Sequence, residues 1–233
     1  MSGAGRRLEE QSAEPKPSPD PAPYRLIRDG ARSLSDAELL AVLLHASCRG
    51  SALDVAARLI DRAGGLAGLF GSGDALLDWP KVGKVRAATL LAVREIASRL
   101  WRAELRGREV LDRPGATARY LLLRYGEADQ EVVGALFLDP QNRLLAEKVI
   151  FRGGWSRASA EPRQVLRAAL RHHASGLVLF HTHPSGDPRP STRDIRFTGR
   201  LRLACQQLGI ELVDHLIVGC FGNWVSLRAR GEL

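Results

Sequence analysis

The sequence predicts an α+β protein in two parts: an N-terminal helical domain and a C-terminal α/β domain on a mixed sheet. Three observations carry this. Apolar residues recur at helical spacing from about Arg25 to Arg106. Beyond Ala116 the texture turns to short apolar runs, turn residues and amphipathic stretches, as expected of alternating strands and helices. Between them, residues 107–115, with Gly107, Pro114 and Gly115, read as a linker. A chain of 233 residues is long enough for two small cores.

Taken in order, residues 1–23 carry Pro15, Pro17, Pro19, Pro21 and Pro23 at alternate positions, a density that blocks helix and ladder hydrogen bonds, so a disordered arm is expected. The helical domain is expected over residues 24–106. Ser35 followed three residues later by Glu38 reads as a capping box ahead of the run Leu39 to Leu44. A second helix runs from Leu53 to Ala63, stopped by Gly64 and Gly65, and a shorter one lies near Asp74 to Asp78. The last follows Pro80-Lys81-Val82-Gly83 and carries Ala87, Ala88, Leu90, Leu91, Val93 and Ile96 at helical spacing.

Residues 116–233 form the second domain. A helix from Ala116 to Tyr125 precedes a strand at Val132–Leu138, a turn at residues 139–142 and a strand at Leu144–Phe151. A helix over Arg163–Ala174 leads to Leu177-Val178-Leu179-Phe180, a short apolar strand of the kind buried on both faces. Another helix spans Thr192–Leu208, and strands follow at Ile210–Val218 and around Trp224–Leu227. There is no internal repeat.

The net charge is +8 and the isoelectric point about 10.1. Such a field favours polyanions, nucleic acid first; an arginine-rich, high-GC coding habit accounts for it equally well, because the arginines are spread along the chain. Three cysteines, Cys48, Cys205 and Cys220, are scattered and form neither a disulfide framework nor a cysteine-rich zinc knot. No stretch approaches the ~18–20 uninterrupted apolar residues of a membrane helix, and Met1–Pro23 has no apolar signal core. A cytoplasmic protein is expected.

The chemistry concentrates in His181-Thr182-His183-Pro184-Ser185-Gly186 and the following Ser191-Thr192-Arg193-Asp194. Side chains alternate along an extended segment, so His181 and His183 point the same way. Two imidazoles and the Asp194 carboxylate suit a tetrahedral Zn2+ whose fourth position holds water, and such a zinc lowers the pKa of that water toward ~7. Each piece alone has a plainer reading: a hydrogen-bonding histidine pair, and an N-capping box at Ser191 that keeps Asp194 turned back on its own helix. Their combination at fixed spacing is what is specific.

His181-x-His183, seven residues, then Ser191-x-x-Asp194 resembles the JAMM signature of the JAB/MPN metalloprotease superfamily, which has a cytidine-deaminase-like mixed-sheet fold. The bacterial RadC (UPF0758) branch is the nearest in pattern, through Leu34 to Ala41, Phe151-Arg152-Gly153, His183 to Pro188, and Asp214 to Gly219. The resemblance spans about Tyr24 to Leu233. It implies a zinc hydrolase cleaving amide or isopeptide bonds, with His181, His183 and Asp194 as ligands. It also implies a general-base glutamate near the start of an early strand, a place that Glu131 fills; Glu147 and Glu161 are the other candidates. A carboxylate leading into a buried strand needs a polar or positive partner, which a metal-bound water would supply. The resemblance further gives Ser191 the role of oxyanion donor, worth on the order of 3 kcal/mol, against an N-cap worth ~1 kcal/mol. Relatives often carry Asn where Thr182 stands; that side chain faces away from the ligands, so little consequence for the metal is expected. His215, next to Asp214, reads as a structural residue or one behind a ligand, and His172-His173 as a helix end.

Pro80 to Ala88 resembles the hairpin of a helix-hairpin-helix DNA-binding motif. Gly83 lets backbone amides approach a phosphate, and Lys81, Lys84 and Arg86 add charge. The copy departs from the pattern at Lys81, where relatives have Gly. DNA contact is one reading of this half and a protein-interaction scaffold the other. The expected function is therefore a zinc-dependent metallopeptidase linked to DNA repair or genome maintenance. Its rival is a DNA-binding accessory protein whose metal site is structural or vestigial.

Overall fold

In the computed structural model the chain packs as two units, one of residues up to Arg62 and one from Ala63 onward. The structure describes residues 20–44, 51–71, 73–79, 82–107, 110, 114–126, 130–153, 161–219 and 223–233.

The first unit holds α1 (Ala22–Asp29), α2 (Asp36–Leu44) and most of α3 (Ala52–Ala63). The expected Pro-rich arm gives way to helix before Pro23. Pro21 is the N-cap of α1 and Pro23 sits in its first turn, where a missing N–H breaks no helical bond; residues 1–19 lie outside the described residues. The capping box forms as expected: the Glu38 amide donates to Ser35 Oγ at 3.3 Å and the Ser35 amide to Glu38 Oε2 at 2.8 Å. Glu38 also pairs with Arg25 of α1, whose side chain is buried, so this one carboxylate caps α2 and ties α1 to it.

The second unit holds α4 (Leu66–Gly71), α5 (Gly83–Gly107), α6 (Pro114–Tyr125), α7 (Pro162–Arg171) and α8 (Thr192–Gln207). Its strands are β1 (Val132–Leu138), β2 (Leu144–Arg152), β3 (Gly176–Thr182), β4 (Glu211–Val218) and β5 (Trp224–Ser226). The packing boundary thus falls well before the 107–115 linker expected from composition. The reason is α5, which rests on α6 and touches β2, while α4 touches both helices. Val110, within the supposed linker, is buried and its N–H is bonded to the Asn142 carbonyl at 2.9 Å.

The five strands lie in the order β2-β1-β3-β4-β5; β3 and β4 are parallel and every other pair is antiparallel. β1 and β3 are buried along their whole length because helices cover both faces. On one face Val133, Phe137, Leu177 and Leu179 pack against Val165 of α7 and Phe197 and Leu201 of α8. On the other, Leu136, Val178, Phe180 and Leu216 pack against Leu105 of α5 and Tyr120 and Leu121 of α6. Each fully buried Phe or Leu in these layers is worth ~1.5–3 kcal/mol. No helix among the described residues is long and apolar enough to cross a membrane.

Candidate metal centre

Strand alternation decides what faces what. Leu177 and Leu179 point into the α7/α8 layer, so His181, two residues on, faces α8. His183 follows just past the strand end, and Asp194 is the third residue of α8. His181 and Asp194 are buried and His183 is partly exposed. The two Nε2 atoms lie 2.8 Å apart, His181 Nε2 is 3.5 Å from Asp194 Oδ1, and His183 Nε2 is 3.7 Å from Asp194 Oδ2.

The loop between the histidines and α8 is held from several sides. The His183 amide donates to the Val218 carbonyl at 2.8 Å and the Gly186 amide to the His183 carbonyl at 2.9 Å. Gly186 has φ +83°, which favours glycine. Gly219, at the end of β4, lies so close to this loop that a Cβ there would collide with the Gly186 carbonyl. Further along, His183 Nδ1 lies 2.7 Å from the Asp187 carbonyl. A carbonyl only accepts, so Nδ1 carries the proton and the Nε2 lone pair is turned toward His181 and Asp194.

Burial alone would raise the Asp194 carboxyl, but its contacts with His181 and His183 outweigh this and hold it far below the usual carboxylate range. Contact with Asp194 raises the His183 imidazole above its ordinary value, whereas burial lowers His181. Ser191 makes the capping box that the plainer reading foresaw: its Oγ donates to Asp194 Oδ2 at 2.6 Å and accepts from the Asp194 amide at 3.2 Å. The box does not turn Asp194 away. The carboxylate is fixed by its own helix start while still facing both imidazoles.

Glu131 lies immediately ahead of β1. Val133 pairs with His181, so continuing the antiparallel register by two residues brings Glu131 opposite His183. Thr182, which faces away from the ligands, is buried, and its Oγ1 accepts the Val132 amide at 2.9 Å, fixing the backbone beside Glu131. Glu131, His183, Ser191 and Asp194 together line an open cleft of about 980 Å³, with Gln130 and Gly153 on its β1–β2 side.

The other glutamates stand elsewhere. Glu147, on β2, pairs with Leu136 of β1 and receives the hydroxyls of Tyr120 and Tyr125, with Arg124 Nε at 3.3 Å. Its side chain therefore faces the α5/α6 layer, across the sheet from His181. Glu161 is the exposed N-cap of α7, 3.7 Å from Arg163. His172 caps the end of α7 and stacks on Phe137 at 5.2 Å, and His173 takes φ +52° just beyond. Of the hairpin residues, Pro80 and Lys81 lie outside the described residues. Gly83 has φ +73° and opens α5, Lys84 is exposed, and Arg86 turns back toward the Val82 carbonyl at 3.5 Å. The partner that inspection of the sequence missed is Thr198, behind the site: His215, fully buried, lies 2.7 Å from His181 Nδ1 and 2.6 Å from Thr198 Oγ1. The spacing Asp194-x-x-x-Thr198, one helical turn, was the available signal.

The group fits a metal ion. One nitrogen of each histidine and one carboxylate oxygen lie within 4.8 Å of one another. Lone pairs and an anion converging on one point repel unless a cation or a proton lies among them, and the cleft leaves a fourth side open for a water or substrate oxygen.

Comparison with known proteins gives the family. The model described as "RadC-like JAB domain" matches residues 111–232 and that described as "UPF0758 N-terminal" matches residues 22–88. A UPF0758 protein of Bordetella petrii is 42% identical over 83% of this chain and 87% of its own length. One from Streptococcus thermophilus is 41% identical over 89% of this chain and 92% of its own, and one from Carboxydothermus hydrogenoformans 40% identical over 88% and 92%. The chain belongs to the RadC (UPF0758) family, and its histidine–aspartate centre lies in the RadC-like JAB domain.

Proposed function

We propose that the protein is a zinc-dependent hydrolase of the metallopeptidase or isopeptidase type. The observation that carries this is the convergence of two imidazoles and a carboxylate, with His183 and Asp194 on the wall of an open cleft that Glu131 also lines. His181, His183 and Asp194 would hold the zinc, and a zinc bound there supplies Lewis acidity to a water and to the substrate carbonyl. Glu131 takes the proton of the attacking water as its oxygen bonds to the carbonyl carbon. It then delivers that proton to the leaving nitrogen as the C–N bond breaks. Ser191 Oγ, at the cleft wall, would turn its one hydroxyl proton from Asp194 Oδ2 to the developing oxyanion, while its own amide keeps the cap to Asp194 Oδ2 at 2.7 Å.

Zinc per chain in the purified full-length protein tests the reading. Near-stoichiometric zinc that falls sharply in both His183→Ala and Asp194→Ala is expected; no zinc even after reconstitution would end the hydrolase proposal. Ser191→Ala separates the two roles of that residue. Loss of ~1 kcal/mol of stability alone marks a cap, and a further fall in kcat of ~10²–10³ marks an oxyanion donor.

A second reading, DNA contact serving repair or genome maintenance, rests on the turn ahead of α5. The Val82 amide bonds to the Trp79 carbonyl at 3.3 Å, Gly83 takes a positive φ, and Lys84 is exposed beside the first amides of a 25-residue helix. Phosphate would meet those amides with Lys81 and Lys84. Salt-dependent duplex binding that disappears in Lys81→Glu/Lys84→Glu is expected; salt-independent or undetectable binding would remove this reading.

A further inference from the structure

Behind His181 a chain of hydrogen bonds runs in one direction. The Thr198 hydroxyl lies 2.7 Å from the Asp194 backbone carbonyl and 2.6 Å from His215 Nδ1, and His215 Nε2 lies 2.7 Å from His181 Nδ1. The carbonyl at the head of this chain cannot donate, so it takes the single hydroxyl proton of Thr198. Thr198 Oγ1 is then an acceptor, and His215 Nδ1 must carry a proton. Both ring nitrogens of this fully buried histidine are taken by a hydroxyl and an imidazole, neither of them anionic, so the ring is neutral and Nε2 is an acceptor. His181 Nδ1 must then be the donor, which leaves the His181 Nε2 lone pair facing His183 and Asp194. Reversing the chain would put the proton on His181 Nε2, where it would block coordination.

We infer that Thr198 and His215 are positioning residues that lock His181 into the Nδ1–H tautomer and so hold its Nε2 open for a metal. The inference rests on the metal reading of the site. It also assigns a second duty to α8: the helix that supplies the ligand Asp194 supplies, through that residue's own carbonyl and Thr198 one turn later, the reference that orients the opposite ligand. His183 is oriented independently, by the Asp187 carbonyl. Each imidazole thus takes its direction from a backbone carbonyl, one directly and one through two side chains.

The test compares wild type, Thr198→Val, Thr198→Ser and His215→Phe in the full chain. It uses zinc affinity by competition with a chromophoric chelator and, on the metal-free samples, the ring ¹⁵N shifts of His181. Thr198→Val is expected to weaken zinc binding about 10–100-fold, as loss of a partner behind a metal-binding histidine does, and to give His181 a mixed tautomer signature. Thr198→Ser keeps the hydroxyl and should restore both; His215→Phe should weaken binding at least as much. Zinc affinity and His181 ring shifts unchanged in Thr198→Val would overturn the lock while leaving the metal reading intact. A wild type that binds no zinc would overturn the metal reading, and the ring shifts would still decide which nitrogen of His181 the Thr198–His215 chain protonates. Thr198→Val is close in volume to the native residue, and Thr198→Ser controls for a packing loss, so a fold defect would show as both variants failing together and would refute a tautomer role.

Discussion

The two faces of the sheet each bury a cluster of polar side chains, and the clusters are built on opposite principles. On the α5/α6 face, the Glu147 carboxylate receives two tyrosine hydroxyls and faces Arg124, so an anion is met by donors and a cation. Burial and this anion push both tyrosines above their ordinary pKa. On the α7/α8 face, His181 Nε2, His183 Nε2 and the Asp194 carboxylate bring acceptors together, and the bonds around them (Asp187, Ser191, His215) fix their orientation. A network closed by its own donors holds a fold together; acceptors converging on one point, each oriented from behind, await a cation. The difference separates Glu147 from Glu131 as well. The first is enclosed by tyrosines and the second stands in a cleft.

This contrast can be broken by substitution. The largest effect should come from Glu131→Gln, which keeps zinc stoichiometry but lowers kcat by ~10²–10⁴ once a substrate is found; equal turnover would remove Glu131 from the chemistry. Next is Thr182→Val, which takes away the acceptor for the Val132 amide beside Glu131. Turnover is expected to fall by about one to two orders of magnitude with zinc affinity nearly constant, and Thr182→Ser should recover it.

The pH dependence sharpens the same contrast. Zinc needs neutral imidazoles, and Asp194 raises the His183 pKa above its ordinary 6.5 in the metal-free protein. Protons therefore begin to compete at His183 above that value, and zinc affinity should fall as pH drops through it, by up to ~10-fold per pH unit. His181, lowered by burial, adds no competition in that range. Affinity that stays flat from pH 8 to 6 would contradict this account. The smallest effect on the site should come from the closed network. Tyr120→Phe leaves the buried carboxylate one donor short, costing ~1–3 kcal/mol in denaturant unfolding, while zinc affinity and turnover stay at wild-type values.

Much of the fold was legible in the chain. The Ser35–Glu38 box, the Gly64-Gly65 stop, the alternation through β1 and β3 and the Ser191–Asp194 start of α8 are local patterns with local causes. The first helix starts at Ala22, inside the expected Pro-rich arm, because proline in a first turn costs no hydrogen bond. By contacts the chain divides after Arg62, because α5 lies on the sheet domain, whereas the two family models part between residues 88 and 111; composition marks where a chain turns, and only contacts show what packs on what.

The candidate site divides along the same line. Sequence by itself determined the ligand types, their spacing on β3 and α8, and the face on which His181 emerges, since a strand has a period of two. It could not determine what stands behind His181. Leu177 of β3 pairs with Leu212 of β4 but Val178 pairs with Asp214, so β4 bulges by one residue at Val213. Leu212 lies in the α7/α8 layer and Val213 in the α5/α6 layer. Strict alternation would then turn Asp214 toward α8 and His215 away from it. The extra residue reverses this: His215 comes level with Leu179 and reaches His181, and Asp214 turns to Ser226. A one-residue slip exchanges the two faces of a strand, and whether it occurs is settled by pairing with a neighbour distant in sequence.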